Sequence, residues 1–256
     1  MNKTRFISTE YLLLLLTAFV SAFILTFNEW GGNQFDFRIG FANLVFAFLI
    51  VTISIYIKLA VQKYFSKDKG YEVVFKPWVI GFLLAIIFIM VSNGSFIFLA
   101  FGGVVFYVSE KLKLGKRNID LKEIGWLAIL GPITSLMIAL IAKLVFYGDF
   151  AAKIISINMW LALFAIIPIP FVHKFKVGGE KNFGTSDGLK FLYSSPMEYF
   201  IISILLIIDS IAIVALPNNI AVAVTIIVML MIWAIYQFFY KQNIFRKREK
   251  AYLYRS

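Results

Sequence analysis

The sequence predicts an all-α, polytopic membrane protein. Of its 256 residues 61% are hydrophobic and 28 are Phe, and the mean hydropathy is +0.86. Because soluble domains are close to half apolar, this composition is typical of a chain whose solvent is the lipid bilayer. We expect a single membrane domain, 1–256. The absence of cysteine excludes disulfides and thiolate-based sites.

The apolar runs of the chain predict about eight spans, at roughly 11–27, 41–61, 77–92, 95–108, 125–146, 154–172, 199–216 and 220–240. The first run follows Lys3 and Arg5 but has no small-residue cleavage site, so it is interpreted as a retained span rather than a signal peptide. Residues 95–108 are rich in β-branched and aromatic residues around Gly102 and Gly103. This composition favours a short β or re-entrant hairpin there as the alternative to a crossing helix.

The net charge of +11 is distributed along the chain in a way that predicts topology. Lys and Arg concentrate in 1–10, 62–76, 109–124, 173–198 and 241–256. The segments on the opposite side hold only Arg38 and Lys153, while Lys58 and Lys143 lie near span ends. The positive-inside rule therefore places both termini in the cytoplasm. The basic tail, 241–256, is interpreted as an anchor on anionic headgroups, so membrane lipids are expected partners and nucleic acid is not.

Two segments combine apolar sequence with small residues and prolines. The first contains Gly131-Pro132, and the second contains Pro168, Pro170 and, after a loop, Asp187-Gly188. In this order the motifs resemble those of the site-2 protease family of intramembrane zinc metalloproteases, in its archaeal-type branch. The resemblance covers about 41–210 and makes 1–40 an additional N-terminal span. It implies a helical bundle in which Asp187 holds the position of the third zinc ligand. Ser135 and Ala165 stand where the family has Asn, and an insertion precedes Asp187.

The family's H-E-x-x-H motif is missing. In that motif two imidazoles one helical turn apart hold Zn²⁺, and the Glu between them activates water. Aligning KLAVQKY (58–64) with the family segment after the motif puts Ile53, Ser54 and Ile57 at the His, Glu and His positions. His173 is the one histidine of the chain. A two-His, one-carboxylate site therefore cannot be assembled, and no cofactor is expected; zinc would be expected only with the family site intact.

Other polar residues leave two alternatives open. His173 with Glu180 and Asp187 could hold a metal, although neighbouring lysines would repel it. Lys58 or Lys143 could act as a desolvated base, but both lie near span ends, where we expect the ammonium groups to reach water.

Asp209 is the acid placed deepest in a span. Its burial as a charge would cost at least about 2.5 kcal/mol, so it should face the bundle interior. There it either hydrogen-bonds a neighbouring helix, through Ser203 or Ser210, or relays protons or ions.

Three functions follow from these observations. The first is a catalytically inactive, site-2-protease-like membrane protein that binds transmembrane segments without cleaving them. The second is an active intramembrane metalloprotease with a non-standard or partner-completed site. The third is a small-solute or ion transporter that uses Asp209. The missing motif favours the first, so the protein is expected not to be an enzyme.

Overall fold

Helices account for most of the apolar sequence. A computed structural model describes residues 3–31, 34–99, 102–108, 120–177 and 180–241, without the side chains of 3–9, 108, 171–185 and 240–241. The helices are α1 (Lys3–Leu25), α2 (Phe37–Asp68), α3 (Val79–Val91), α4 (Leu121–Val145), α5 (Gly148–Ile166), α6 (Asp187–Ser194), α7 (Pro196–Ala215) and α8 (Asn218–Ile235), followed by a π-helical turn, Tyr236–Lys241. The strands are β1 (Tyr71–Lys76), β2 (Gly103–Val108), β3 (Pro170–Val177) and β4 (Glu180–Thr185).

Five helices of the described chain are long and apolar enough to cross a membrane. They are α2, α4, α5, α7 and the segment Asn218–Phe239, which extends α8 into the π-helical turn. Shorter apolar helices are Glu10–Leu25 within α1, and α3. The multi-pass helical class predicted from composition is therefore confirmed. With 13 residues, α3 is about 20 Å long, less than the roughly 30 Å of the hydrocarbon core.

Residues 95–108 form no helix within their described part, so the predicted count of eight spans is not supported. Instead β2 pairs antiparallel with β1, with Lys76 opposite Gly103, which confirms the β alternative. Between the two strands, α3 runs to the far end of α1, where the Asn28 side-chain amide donates to the Gly94 carbonyl (3.0 Å). The chain from 77 to 102 thus leaves one end of the bundle and returns to that end.

The central helix of the bundle is α4. Of its most apolar window 67% is buried, a larger share than in any other membrane-length helix described. One core cluster joins α4 to α1, α2, α3 and the β1–β2 sheet, and a second joins it to α6, α7 and α8. Ala128 belongs to the first cluster and Ile129 to the second. Since both cores use α4, residues near its middle can contact elements from both halves of the chain.

Two segments that were predicted to be cytoplasmic loops form regular secondary structure instead. The predicted span at 41–61 continues as helix α2 to Asp68, because LAVQKYFSKD (59–68) contains neither Gly nor Pro. The helix ends just before Gly70, which has φ +78°. The backbone of 170–177 and 180–185 forms the antiparallel strand pair β3–β4 rather than a loop. The basic tail beyond 241 lies outside the described residues.

Ion pairs between buried or half-buried side chains connect the helices at both ends of the bundle. At one end the buried Glu10 carboxylate accepts from Lys63 Nζ (2.9 Å) and from the Phe75 amide of β1 (2.9 Å). At the other end Lys153 Nζ lies 2.5 Å from a Glu29 carboxylate oxygen and 2.9 Å from Asn43 Oδ1. These contacts join α1 and the turn that follows it to α2, β1 and α5.

Replacement of Gly94 should test the turn after α3. Gly94 has φ +79°, and a Cβ there would lie 1.9 Å from the Asn28 side chain. Gly94→Ala should therefore lower the free energy of unfolding by about 1–2 kcal/mol from backbone strain and by about 1 kcal/mol more from the displaced hydrogen bond. Gly148→Ala is the matched control, because Gly148 also has positive φ (+65°) but has no atom near its Cβ position. Equal losses in thermal denaturation of the two variants would contradict this account.

Candidate functional site

Helix α5 ends because of its two prolines. Pro168 and Pro170 have no N–H, so the carbonyls of Phe164 and Ile166, four residues earlier, lose their helical donors. The helix stops at Ile166, whose carbonyl accepts a hydrogen bond from the Tyr199 hydroxyl of α7 (3.1 Å). The break is thereby fixed to the following half of the bundle.

Ser186 closes the break and starts the next helix. Its Oγ accepts from the Ile169 amide (2.9 Å) and donates to the Ile167 carbonyl (2.9 Å). The same Oγ caps α6 by accepting from the Leu189 amide (3.1 Å), which makes Asp187 the first residue of that helix. The backbone that carries Asp187 is therefore held against the proline break of α5.

Gly188 allows this close approach. A Cβ at Gly188 would lie 1.8 Å from the carbonyl oxygen of Ile166, a distance that no side chain can occupy. Packing explains why a glycine follows Asp187. The glycine lets α6 contact the end of α5, and the aspartate then points into the bundle.

Asp187 forms a buried ion pair. The residue is 2% exposed, and its Oδ2 lies 3.0 Å from Lys58 Nζ of α2. Lys190, one turn along α6, has its Nζ 3.8 Å from Oδ1. The Gln62 side-chain amide, one turn after Lys58, donates to Oδ2 over a long 3.4 Å. We refer to Lys58, Gln62, Asp187 and Lys190 as the ion-pair centre.

Gly131 and Pro132 adapt α4 to this centre. Pro132 removes the donor that the Ala128 carbonyl would have in a regular helix, and Gln62 Nε2 takes that place at 3.1 Å. A Cβ at Gly131 would lie 2.4 Å from Lys58 Cε and 2.6 Å from Asp187 Oδ2. The Gly-Pro pair therefore supplies both the space and the acceptor that the ion-pair centre uses.

The centre carries two ammonium groups and one carboxylate in a low-dielectric site. Lys190 lies on α6, outside the membrane-spanning helices. Burial lowers the pKa of the Lys190 ammonium from its ordinary 10.5 to about 8; nearby Lys58 adds to this effect, and Asp187 opposes it. One carboxylate cannot fully compensate two cations, and with this lowered pKa the Lys190 ammonium loses its proton at a lower pH than an ordinary lysine does.

The residues aligned with the missing motif lie elsewhere on α2. Ile53 and Ile57 are 58% and 38% exposed, and Ser54 is buried. The α2 side chains that reach Asp187 are Lys58 and Gln62.

The expectation that Lys58 reaches water was wrong, because Asp187 offers its ammonium group a buried counter-charge. The Lys143 ammonium instead donates to the carbonyls of Ile213 and Leu216, the latter at 2.5 Å. Lys143 thereby binds the C-terminal end of α7, where carbonyls lack helical donors.

The donors around Asp187 do not fit a zinc ion. The carboxylate is already paired with an ammonium group, which repels a metal. No group of three His, Asp or Glu side chains comes together in the described part of the chain. The side chains of His173 and Glu180 lie outside the description. The cavity beside Lys58 has a volume of about 20 Å³, enough for a water molecule.

Asp209 is fully buried between α7 and α8. The Thr225 hydroxyl of α8 donates to its Oδ1 at 2.6 Å, so the partner is neither Ser203 nor Ser210. Ser210 instead donates to the Leu206 carbonyl of its own helix (2.7 Å). The contact of Asp209 joins two neighbouring helices, as expected for a packing role.

Gln62 and Lys190 belong to the centre but were not singled out from the sequence. The available signals were spacings: Lys58 and Gln62 are separated by four residues, and Asp187 and Lys190 by three, so each pair shares one helix face. Neither spacing has meaning until α2 and α6 are known to face each other.

The chain matches no protein-family model, no curated protein and no solved structure.

A double-mutant cycle should measure the Lys58–Asp187 pair. Asp187→Asn leaves two buried ammonium groups without a counter-charge, so it should lower the free energy of unfolding by about 3–5 kcal/mol. Lys58→Met should cost less, because Lys190 remains beside the carboxylate. The double variant should be less destabilised than the sum of the singles by about 0.5–3 kcal/mol. The control is Asp68→Asn, which removes an exposed carboxylate of α2 and should be additive with Lys58→Met. Strict additivity of Asp187→Asn and Lys58→Met would show that this pair does not interact.

The lowered pKa of Lys190 predicts a pH dependence. Between pH 8 and pH 10.5 the unfolded chain keeps this proton while the folded chain has lost it, so the unfolding free energy should rise with pH across that window. The rise should amount to at most about 3 kcal/mol. Thermal denaturation at pH 7.5 and 9.5 should show it relative to Lys190→Met. Lys67→Met, at an exposed position, should keep the wild-type dependence; a fall in relative stability with pH would contradict the assignment.

Proposed function

We propose that this protein is a catalytically inactive, site-2-protease-like integral membrane protein that binds transmembrane segments without cleaving them. The observation that carries the proposal is the buried Lys58–Asp187 ion pair at the meeting point of α2, α4 and α6. In a metalloprotease of this kind, the acid after the proline break would bind the metal.

The residues KLAVQ (58–62) are, in this proposal, the counterpart of H-E-x-x-H. Lys58 and Gln62 have the four-residue spacing of the two zinc-binding histidines, and both side chains reach Asp187. Leu59 follows Lys58 where the motif has its catalytic Glu. This register replaces the alignment on Ile53 and Ile57, whose side chains are exposed.

The Lys58 ammonium can substitute for the charge of a metal but not for its chemistry. It pairs with Asp187 in a buried site, and this contact joins α2 to α6. An ammonium group is no Lewis acid, and neither Leu59 nor Gln62 can take a proton from water. The arrangement thus retains the motifs of a protease without its reaction.

In this proposal the bundle binds transmembrane segments on its outer surface. The cavity at the centre holds about 20 Å³, so a client side chain cannot enter it. A client would instead contact the exposed apolar faces of membrane helices, such as the face of α2 that carries Ile53 and Ile57.

We also propose that α1 crosses together with the five long helices and that both termini face the cytoplasm. Residues 77–102 return to the end from which they leave, so the basic segments stay on one side of the membrane. This topology places the ion-pair centre nearer the cytoplasmic face.

Rebuilding the zinc motif tests the register directly. The variant Lys58→His, Leu59→Glu and Gln62→His should bind about one zinc per chain, because it adds two imidazoles beside Asp187. Elemental analysis of protein purified in mild detergent should show far less zinc in the wild type. Adding Asp187→Asn to the variant should abolish the gain, since it removes the third ligand.

The matched control is Ile53→His, Ser54→Glu and Ile57→His, which builds the same motif in the alternative register. It should gain no zinc; if it alone binds zinc, the proposed register is wrong. The smaller variant Lys58→His with Gln62→His spares the buried Leu59 and tests the register should the full variant fold poorly. Stoichiometric zinc in the wild type, with chelator-sensitive cleavage of a membrane-embedded segment, would overturn the inactive assignment.

Client binding has its own test. A photoreactive residue at Ile53 should form crosslinks to single-span membrane proteins in intact membranes. The same residue at the buried position of Ile50 should form none. Crosslinks only to lipid or to a second copy of this chain would contradict binding of transmembrane segments.

A further inference from the structure

A polar contact at the Glu29 end of the bundle lies below the ends of two helices. The Asn43 side-chain amide of α2 donates to the Glu29 carbonyl (3.0 Å), and Lys153 of α5 pairs with the Glu29 carboxylate. Helix α2 begins at Phe37, six residues before Asn43, and α5 begins at Gly148, five residues before Lys153. Both helices therefore extend beyond this contact by about 7–9 Å.

The turn after α3 lies beside this contact and is also polar. Asn28, next to Glu29, donates to the Gly94 carbonyl (3.0 Å). Asn93 and Ser95, on either side of Gly94, are exposed. The shortness of α3, about 20 Å, explains why its terminal turn stops below the ends of α2 and α5. We call the resulting depression the polar recess; its lining residues are Asn28, Glu29, Asn43, Asn93, Ser95 and Lys153.

An irregular segment leads from the polar recess into the bundle. Residues 95–99 form neither helix nor strand. The Phe98 ring contacts the rings of Phe88 in α3 and Phe164 in α5, with centroids 5.5 and 5.8 Å apart. Phe164 is sixteen residues from the start of α5, which is about 24 Å along the helix axis. The segment therefore descends to the depth of the hydrocarbon core.

The backbone of this segment is unpaired over two residues. The Phe96 amide donates to Ser92 Oγ (3.0 Å). The amides and carbonyls of Ile97 and Phe98 form no hydrogen bond within the described part of the chain. Both residues are half-buried rather than enclosed. Hydrocarbon offers neither donors nor acceptors, so irregular backbone at this depth persists only inside protein or beside water.

We propose that water fills the polar recess and follows the irregular segment as far as Phe98, where it hydrates the backbone of Ile97 and Phe98. The exposed amide and hydroxyl groups of the recess supply the hydrogen bonds that hold such water. Lipid chains cannot replace it, because they leave the backbone groups unpaired. Since the recess lies at the end of the bundle away from Asp187, this inference is independent of the proposed function.

Hydrogen exchange of the wild-type protein in lipid nanodiscs tests the inference directly. Mass spectrometry with fragmentation to single residues should show the Ile97 and Phe98 amides exchanging at least about 100-fold faster than the helical amides of Ala85 to Phe88 in α3. The α3 amides are the internal control, because the Phe88 ring contacts Phe98. Exchange of the Ile97 and Phe98 amides as slow as that of α3 would overturn the inference, whether the segment is dry or paired with a protein strand.

Thiol labelling provides a second measurement, since the chain has no cysteine of its own. A cysteine side chain is short, so its thiol reports on the surroundings of the backbone. Phe96→Cys should react with a charged methanethiosulfonate reagent more than about tenfold faster than Ile87→Cys, because the reagent and the reactive thiolate both require water.

The two positions are matched for this comparison. Phe96 and Ile87 are each 53% exposed, and the Phe96 ring contacts Phe88, the neighbour of Ile87. Equal labelling rates would show that lipid surrounds both positions and would overturn the inference. Circular dichroism of each variant establishes that it is folded before its labelling rate is compared.

Discussion

Asp187 is buried inside the bundle, and the arrangement of α2, α4 and α6 depends on how its carboxylate obtains a positive partner. The acid lies at the start of α6, where Ser186 and Gly188 hold it against the broken end of α5. Lys58 reaches it from α2, and Gly131 leaves the space in α4 through which the two groups meet. Removing the carboxylate would leave two ammonium groups uncompensated in a site of low dielectric, whereas removing the Lys58 charge leaves Lys190 beside the acid.

The prolines of the chain create acceptors that long-range contacts then use. Pro132 frees the carbonyl of Ala128, which binds Gln62, and Pro170 frees that of Ile166, which binds Tyr199. In each case a local defect of one helix becomes a specific contact with another. Backbone irregularity at membrane depth is tolerated here because protein groups satisfy it.

Two cavities in the described part of the bundle differ in their walls. The space at the ion-pair centre admits no more than water, and Lys58, Gln62 and Asp187 line it. A larger cavity of about 370 Å³ lies between α4 and α8 and has mainly apolar walls. The ion pair beside the small cavity stabilises the packing of α2 against α6, whereas the larger cavity offers mainly apolar contacts.

Composition and hydropathy by themselves determined that the chain is a multi-pass helical membrane protein, because burial in lipid requires long apolar helices wherever the chain crosses. They also located most of the helices and, through the lone His173, excluded a two-histidine metal site. The β-branched residues and glycines of 95–108 indicated strand β2, although not its partner β1. Only the tertiary structure decided that Lys58 is paired rather than solvated, that Gln62 and Lys190 join Asp187, and that Thr225 is the partner of Asp209. The physical reason is that a residue's spacing fixes the helix face on which it lies, whereas its partner depends on which helices pack against that face.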